Sequence, residues 1–230
     1  MTVEQLPPWE AMQKHLTWQQ LGEWESKRVL DFGSGCGITA AHYAARNEVT
    51  AIEPSEEMLA QRCLAPAYQQ LTGGLDVLCA LSDNAFDLVL CHNVLEYISD
   101  KAPVVRELAR VLKPGGTLSL LKHNRAGRVM QRAVLLDDLD GAERLLGGAD
   151  DESKQFGAIR YYEDGDPLCW ACELRLRAVY GMRALWDLQQ KQERHTDAAW
   201  QERMLRLESL VAERPPYRDI AFFHHLLLTK

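Results

Sequence analysis

The sequence predicts an α/β protein, a three-layer, doubly wound and mostly parallel sheet with an N-terminal helix and a helical lid insertion. Three observations predict it. From Arg28 to Leu121, short apolar runs rich in branched residues alternate with amphipathic stretches, which is how parallel strands and their crossover helices read. The first apolar run ends in a glycine turn, Gly33-Ser34-Gly35-Cys36-Gly37, and the second ends in an acid, Glu53. Beyond Lys122 the alternation stops, and helical pattern gives way to a glycine- and acid-rich stretch, as expected of an insertion.

Trp9, Met12, Leu16 and Leu21 lie near helical spacing, so residues 1–26 are read as a helical cap before the first strand. Strands are expected at 28–32, 49–53, 75–79 and 86–91, with helices at about 37–46 and from Ser55 to about Leu64. Ser55 followed by Glu56 and Glu57 starts a helix, because a serine cap and early acids answer its free amides and dipole. Lys101 to Leu112 carries Val104, Val105, Leu108, Val111 and Leu112 on one face, Lys113-Pro114-Gly115-Gly116 stops that helix, and Thr117 to Leu121 resumes the sheet. Residues 125–178 form the lid and a following helix: 125–146 helical, 147–165 a loop, and helix again over about 167–177. A strand from Tyr180 to Leu185, a helix over about 196–213 and an apolar strand from Ala221 to Leu228 complete a single domain spanning 1–230.

The bulk properties narrow the classes of function. A net charge of -7 argues against a broad nucleic-acid-binding surface and confines any polyanion contact to a local patch. The start lacks a basic segment followed by an apolar one, and no stretch approaches the roughly 18 apolar residues of a membrane span, so a cytoplasmic protein without a membrane partner is expected. The six cysteines are scattered and read as reduced thiols. Cys169 and Cys172 form a solitary CxxC in a helical context, which favours half-buried helix residues over a metal site. His224 and His225, adjacent in an apolar strand, point to opposite faces and cannot share a metal, so no metal is expected.

The turn is spaced GxGxG rather than GxGxxG, and no Lys-Ser or Lys-Thr follows, which disfavours a pyrophosphate ligand. Glu53 follows Gly37 by sixteen residues and its two oxygens suit a ribose diol, so the pair reads as a nucleoside-cofactor site. Two further landmarks follow, the run from Phe86 to Tyr97 containing His92, and Leu112-Lys113-Pro114-Gly115-Gly116.

With these four ordered motifs, the segment from Lys27 to Leu121 resembles the class I S-adenosylmethionine-dependent methyltransferases. The resemblance implies a Rossmann-like, seven-stranded sheet closed by an antiparallel hairpin, and S-adenosyl-L-methionine as cofactor. It further implies that Gly33, Ser34 and Gly35 line the methionine and ribose, that Glu53 grips the ribose hydroxyls, that Ala80 to Asp83, with Leu81 and Ser82, lies along the adenine, and that His92 stands beside the transferred methyl.

A narrower likeness, carried by His92 to Tyr97, Gly115 to Leu121 with Asn124 and Gly127, Gly181-Met182-Arg183 with Asp187, and Pro216-Tyr217, is to the tRNA wobble-uridine carboxymethoxy methyltransferases. It implies a carboxylate esterified by a methyl group, with a small molecule or tRNA as acceptor. Where that family is expected to carry an arginine for the cofactor carboxylate, this chain has Gln13 beside Lys14.

Methyl transfer from a sulfonium is an in-line displacement, so the protein chiefly aligns the acceptor and excludes water. A carboxylate acceptor needs no base, whereas a hydroxyl or amine does, and His92 and His123 are the candidates. The basic cluster from Lys122 to Arg132 reads as the solvated face of a helix or, through Arg125 and Arg128, as the partner of an anionic acceptor, and Tyr217 is a candidate contact. A non-catalytic module that keeps the cofactor pocket is the alternative class.

Overall fold

The computed structural model describes residues 2–153 and 156–230. Helix α1 (Pro8–Leu21) precedes β1 (Arg28–Phe32), α2 (Ile38–Ala44), β2 (Glu48–Glu53), α3 (Glu56–Ala60) and β3 (Gln69–Thr72). There follow α4 (Leu75–Cys79), β4 (Phe86–His92), α5 (Ala102–Val111) and β5 (Leu112–His123). The lid holds α6 (Arg125–Met130), a π-helical turn at Gln131–Leu135, α7 (Leu139–Leu146) and a hairpin of β6 (Asp151–Ser153) with β7 (Gly157–Ile159). The chain ends with α8 (Asp166–Trp170), β8 (Arg175–Met182), α9 (Ala198–Val211) and β9 (Phe223–Thr229).

The main sheet has seven strands in the order β3-β2-β1-β4-β5-β9-β8, parallel as far as β5, with β9 antiparallel to both neighbours. Its middle is apolar on both faces because helices cover both: Leu30, Ile52, Leu88, Val89, Leu90, Leu118 and Leu120 are fully buried. Met12 and Leu16 of α1 pack on Leu121, Met182, Phe222 and Phe223, which places the N-terminal helix across the carboxyl ends of the central strands. Among the described residues no helix is long and apolar enough to cross a membrane.

Four expectations are corrected. Residues 75–79 form helix α4 rather than a strand, since Gly73-Gly74 interrupts the chain and the Asp76 carboxylate accepts the Gly74 amide at 3.0 Å, opening a helical turn. The third strand is instead the glutamine-rich 69–72, a polar edge whose Gln70 Nε2 donates to the Ala51 carbonyl, so no apolar pattern announces it. Helix α8 stops at Trp170, and the strand expected at 180–185 runs from Arg175 to Met182, drawn out by its ladder with β9 from Arg175–Thr229 to Met182–Phe223. The 147–165 loop contains the β6–β7 hairpin. Gly127 lets α6 lie directly on the chain before β9, where a Cβ would stand 2.1 Å from the Ala221 carbonyl oxygen.

Candidate active site

The turn after β1 is pinned to β2, with the amides of Gly33 and Ser34 both donating to the Ile52 carbonyl, at 2.8 and 3.0 Å. Gly33 sits at φ +75°, and a Cβ there would meet Val94 Cγ2 at 2.3 Å, so the position excludes a side chain on two counts. Glu53, 7% exposed, accepts the Gly35 amide at 2.8 Å on one oxygen and the Ser55 amide at 2.9 Å on the other. Each oxygen keeps a second lone pair, which is what a ribose diol requires.

The cradle has unfilled polar capacity. Ser34 Oγ, Asp31 Oδ2 and Asn93 Oδ1 are buried without a hydrogen-bond partner among the described residues. Burial pushes the Asp31 carboxyl up to about 6 against the pull of the nearby Lys14 ammonium, with Glu53 adding repulsion. Lys14 Nζ rests on Thr39 Oγ1 at 2.9 Å. The backbone cradle, the ribose-ready acid and these orphaned groups fit a charged nucleoside cofactor such as S-adenosylmethionine.

A cavity of about 690 Å³ opens beside this turn, lined on that side by Lys14, Cys36 and Met58. Its other walls include Trp9, Trp186, Phe222 and Phe223, together with Arg183 and His123. Arg183 is 5% exposed and holds a φ of +60°, uncommon for a side-chain-bearing residue. Its guanidinium lies about 5 Å from the ring centroids of Trp9, Phe222 and Phe223. It donates to Asp187 and, at a long 3.4 Å, to Gln13, while its buried Nε has no partner among the described residues. Against the same two phenylalanines, the His123 ring donates from Nδ1 to Glu96 Oε1 at 2.6 Å.

The expected site residues separate into two groups. Gly33, Ser34, Gly35 and Glu53 converge at the carboxyl ends of β1 and β2, and His123 reaches the cavity. Others are diverted. His92 does not line the cavity: its ring bonds Ser119 Oγ at 2.7 Å, which in turn meets His225 Nε2 at 2.7 Å, and His225 Nδ1 meets Gln20. Burial holds both histidines neutral, with His225 lowered to about 3 and His92 lowered well below its ordinary range.

Leu81 packs into the core and Ser82 is exposed, on a segment that leads into the amino end of β4, where the Ala85 amide meets the Val111 carbonyl. That end of the sheet is opposite Glu53, so neither residue can lie along the adenine. The stretch that flanks Glu53 is Gly73-Gly74, one element earlier than the expected 80–83, and its Gly73 amide bonds the Glu53 carbonyl at 3.2 Å.

Arg125 and Arg128 are likewise committed within the lid. Arg125 donates to the carbonyls of Leu145 and Ala149 at the end of α7 and stacks over Tyr161, and Arg128 Nε bonds Asp151 Oδ2 at 2.6 Å. Arg132 joins them by bridging Asp138 and Asp151, and Lys122 is buried against Asp164 at 2.8 Å. Tyr217 is 42% exposed and outside the cavity wall. Cys169 and Cys172 are exposed rather than half-buried, because the helix expected around them ends at Trp170. His224 faces Asp164 while His225 faces Ser119, the opposed orientations expected of strand neighbours.

Sequence reasoning missed Glu96 and the aromatic cage of Arg183. Glu96 carried one signal, an acid in an otherwise apolar run from Val94 to Ile98. The cage carried none, since Trp9, Arg183 and Phe222 are far apart in the chain.

Residues 30–120 match the family described as "Methyltransferase domain". The fold superposes on an S-adenosylmethionine dependent methyltransferase from Mesorhizobium loti with a TM-score of 0.64, covering 99% of this chain and 100% of that one at 19% identity. With the turn, the acid and the strand order, these findings show a methyltransferase domain over residues 30–120 in a sheet with the class I methyltransferase fold, and mark the chain as an S-adenosylmethionine-dependent methyltransferase. More narrowly, it is 28% identical over 214 residues to the tRNA 5-carboxymethoxyuridine methyltransferase of Escherichia coli, a match covering 88% of this chain and 80% of the relative. It is also 36% identical over 136 residues to a ubiquinone biosynthesis O-methyltransferase of Alkalilimnicola ehrlichii, covering 56% of this chain and 52% of that protein.

Proposed function

We propose that the enzyme methylates a carboxylate carried on a flat, nucleobase-sized ring, forming a methyl ester, and that a wobble uridine of tRNA is the acceptor. The observation that carries this reading is Arg183: a buried guanidinium, stacked among three aromatic rings, with Nε unpartnered and Nη1 weakly held, at the wall of the acceptor cavity. A planar cation in such surroundings favours a carboxylate that can take two parallel hydrogen bonds, and the rings beside it favour a flat body. The likeness to the tRNA enzyme supports the same reading, because it extends over 88% of the chain and so beyond the cofactor-binding part, whereas the likeness to the ubiquinone enzyme covers 56%.

Around the cofactor, Gly33 to Gly35 give close backbone approach and Glu53 takes the ribose hydroxyls. Lys14 answers the methionine carboxylate and Asp31 the methionine ammonium. The cofactor supplies an electrophilic methyl group. A carboxylate is ionised at neutral pH, so the residues of this chain need only hold it in line and exclude water. The acidic surface is consistent with recognition of one base rather than of a long phosphate backbone.

The test is methyl transfer from labelled S-adenosylmethionine to bulk tRNA, followed by mild alkali. Label in tRNA that alkali releases as methanol supports an ester. Arg183→Lys, which keeps the charge and loses the planar fork, should raise acceptor KM at least about tenfold while leaving cofactor affinity nearly unchanged. Alkali-stable label, or transfer indifferent to ribonuclease, would overturn the reading.

A further inference from the structure

Three polar side chains stand in a row on the sheet face under α1, and methyl transfer uses none of them. His92, Ser119 and His225 come from the adjacent strands β4, β5 and β9, and Ser119 and His225 are fully buried. Gln20 of α1 completes the row, and its hydrogen bonds can run in one direction only. Gln20 Oε1 accepts, at 2.7 Å, so His225 Nδ1 carries the hydrogen. The neutral ring then accepts at Nε2 from the Ser119 hydroxyl, and Ser119 Oγ accepts from His92 Nε2, each at 2.7 Å. A proton added to His225 breaks this order. Nε2 would gain a hydrogen aimed at Ser119 Oγ, which already receives one from His92, and the hydroxyl hydrogen would lose its acceptor. The new charge would also lie without an acid. The titratable groups that face it are His92 on β4 and Tyr180 on β8, with ring centroids 5.9 and 6.2 Å away, and Lys14 of α1 adds repulsion at His92. Among the described residues no carboxylate bonds either imidazole. Lifting α1 removes Gln20 and admits water to the ring, so the open helix is the state that takes the proton.

We infer that Gln20, His225 and Ser119 are positioning residues that clasp α1 to the sheet only while their row is neutral, so that acid releases the helix together with the cofactor contact it carries. The clasp itself stands on the hydrogen bonds alone; its consequence for the cofactor rests on the reading of Lys14 as partner of the methionine carboxylate. None of the three residues touches cofactor or acceptor in this reading. They act through α1, which brings Lys14 to the glycine turn and Trp9 and Gln13 to the cavity wall. Its other ties are the packing of Met12 and Leu16, the bond from Lys14 to Thr39, and Trp18 stacked on His42 at 3.7 Å between centroids.

Hydrogen exchange of the full chain without cofactor reads the clasp, as protection of the α1 amides relative to free amides at the same pH. Burial lowers the His225 imidazole from its ordinary 6.5 to about 3, so the closed helix keeps its advantage above the ordinary value and loses it as pH falls below. Protection of α1 should drop about tenfold between about pH 7.5 and about pH 5.5, while β1 and β4 keep theirs. Gln20→Glu, a change on a half-buried helix position that sets a carboxylate beside Nδ1, should shrink the drop to less than about threefold, and His225→Gln should abolish it. His42→Gln should leave it intact. A drop of full size in Gln20→Glu, a drop removed by His42→Gln instead, or protection lost evenly over the sheet overturns the inference. Titration of Lys14→Met with S-adenosylmethionine at about pH 7.5 keeps the two readings apart. Unchanged affinity removes Lys14 from the cofactor and leaves the clasp standing, whereas weakened affinity with no release of α1 in the wild type sinks only the clasp.

Discussion

Asp31 offers a test whose size follows from its surroundings. Its side chain lies 3% exposed at the end of β1, Oδ2 has no partner among the described residues, and burial carries its carboxyl from the ordinary 3.8 to about 6. Between those values the folded protein keeps a proton that the unfolded chain has released. Stability therefore falls as pH rises through that window and levels off above it. The full displacement corresponds to about 3 kcal/mol, at 1.36 kcal/mol per unit. Asp31→Asn keeps the shape and carries no such proton. Comparing variant with wild type at each pH cancels whatever the amide itself costs. The variant should gain about 2 kcal/mol relative to wild type between about pH 4.5 and about pH 8, or roughly 4–8 °C in Tm for a chain of this length. Urea unfolding across that range, without cofactor, measures it. Parallel curves for the two proteins would refute the argument, because they would mean that the carboxyl is neither isolated nor forced to ionise against burial. The same variant should bind S-adenosylmethionine about tenfold more weakly at the upper pH, the scale of one lost charged partner. Equal affinity would remove Asp31 from the cofactor site.

Two further outcomes are expected. Gly33→Ala should destabilise the fold by about 2–4 kcal/mol, from the 2.3 Å overlap with Val94 Cγ2 and the left-handed backbone together; adding Val94→Ala should leave chiefly the backbone part, about 1–2 kcal/mol, and a double variant no better than the single one in urea unfolding would contradict this. Asp151→Asn removes the shared partner of Arg128 and Arg132 and should cost about 3 kcal/mol within the lid, read as faster limited proteolysis between α6 and β7. Burial would raise the Asp151 carboxyl, but the Glu152 amide and the two guanidinium groups lower it overall, so this stabilisation is present above the ordinary carboxylate range and disappears as pH falls through the folded value. As pH falls below the ordinary carboxylate value, cleavage of the wild-type protein should approach the rate of the variant, and an unchanged rate in either would count against the network.

The parts of this enzyme that were legible in the sequence are those set by neighbours in the chain. The parallel sheet follows from apolar runs at strand length, the turn from glycines at Gly33, Gly35 and Gly37, which all adopt positive φ, and the acid from its place at the tip of β2. Polar edges escaped that logic. β3 is written in glutamines because the sheet needs from it backbone hydrogen bonds rather than an apolar face, and β8 extends as far as β9 gives it a ladder. The misplacement of Leu81 and Ser82 followed directly from the missed β3.

Charge partners were settled by the tertiary fold. The sequence by itself determined that basic residues cluster after Lys122, yet Arg125 and Arg128 face carbonyls and an acid twenty or more residues further on and are spent within the lid. The cavity wall is built instead from Arg183, Trp9 and the two phenylalanines, and from His123 set against Glu96, twenty-seven residues away. A side chain's neighbours in a folded interior are chosen by how elements pack, and long-range juxtaposition leaves no period in the chain that could reveal it beforehand.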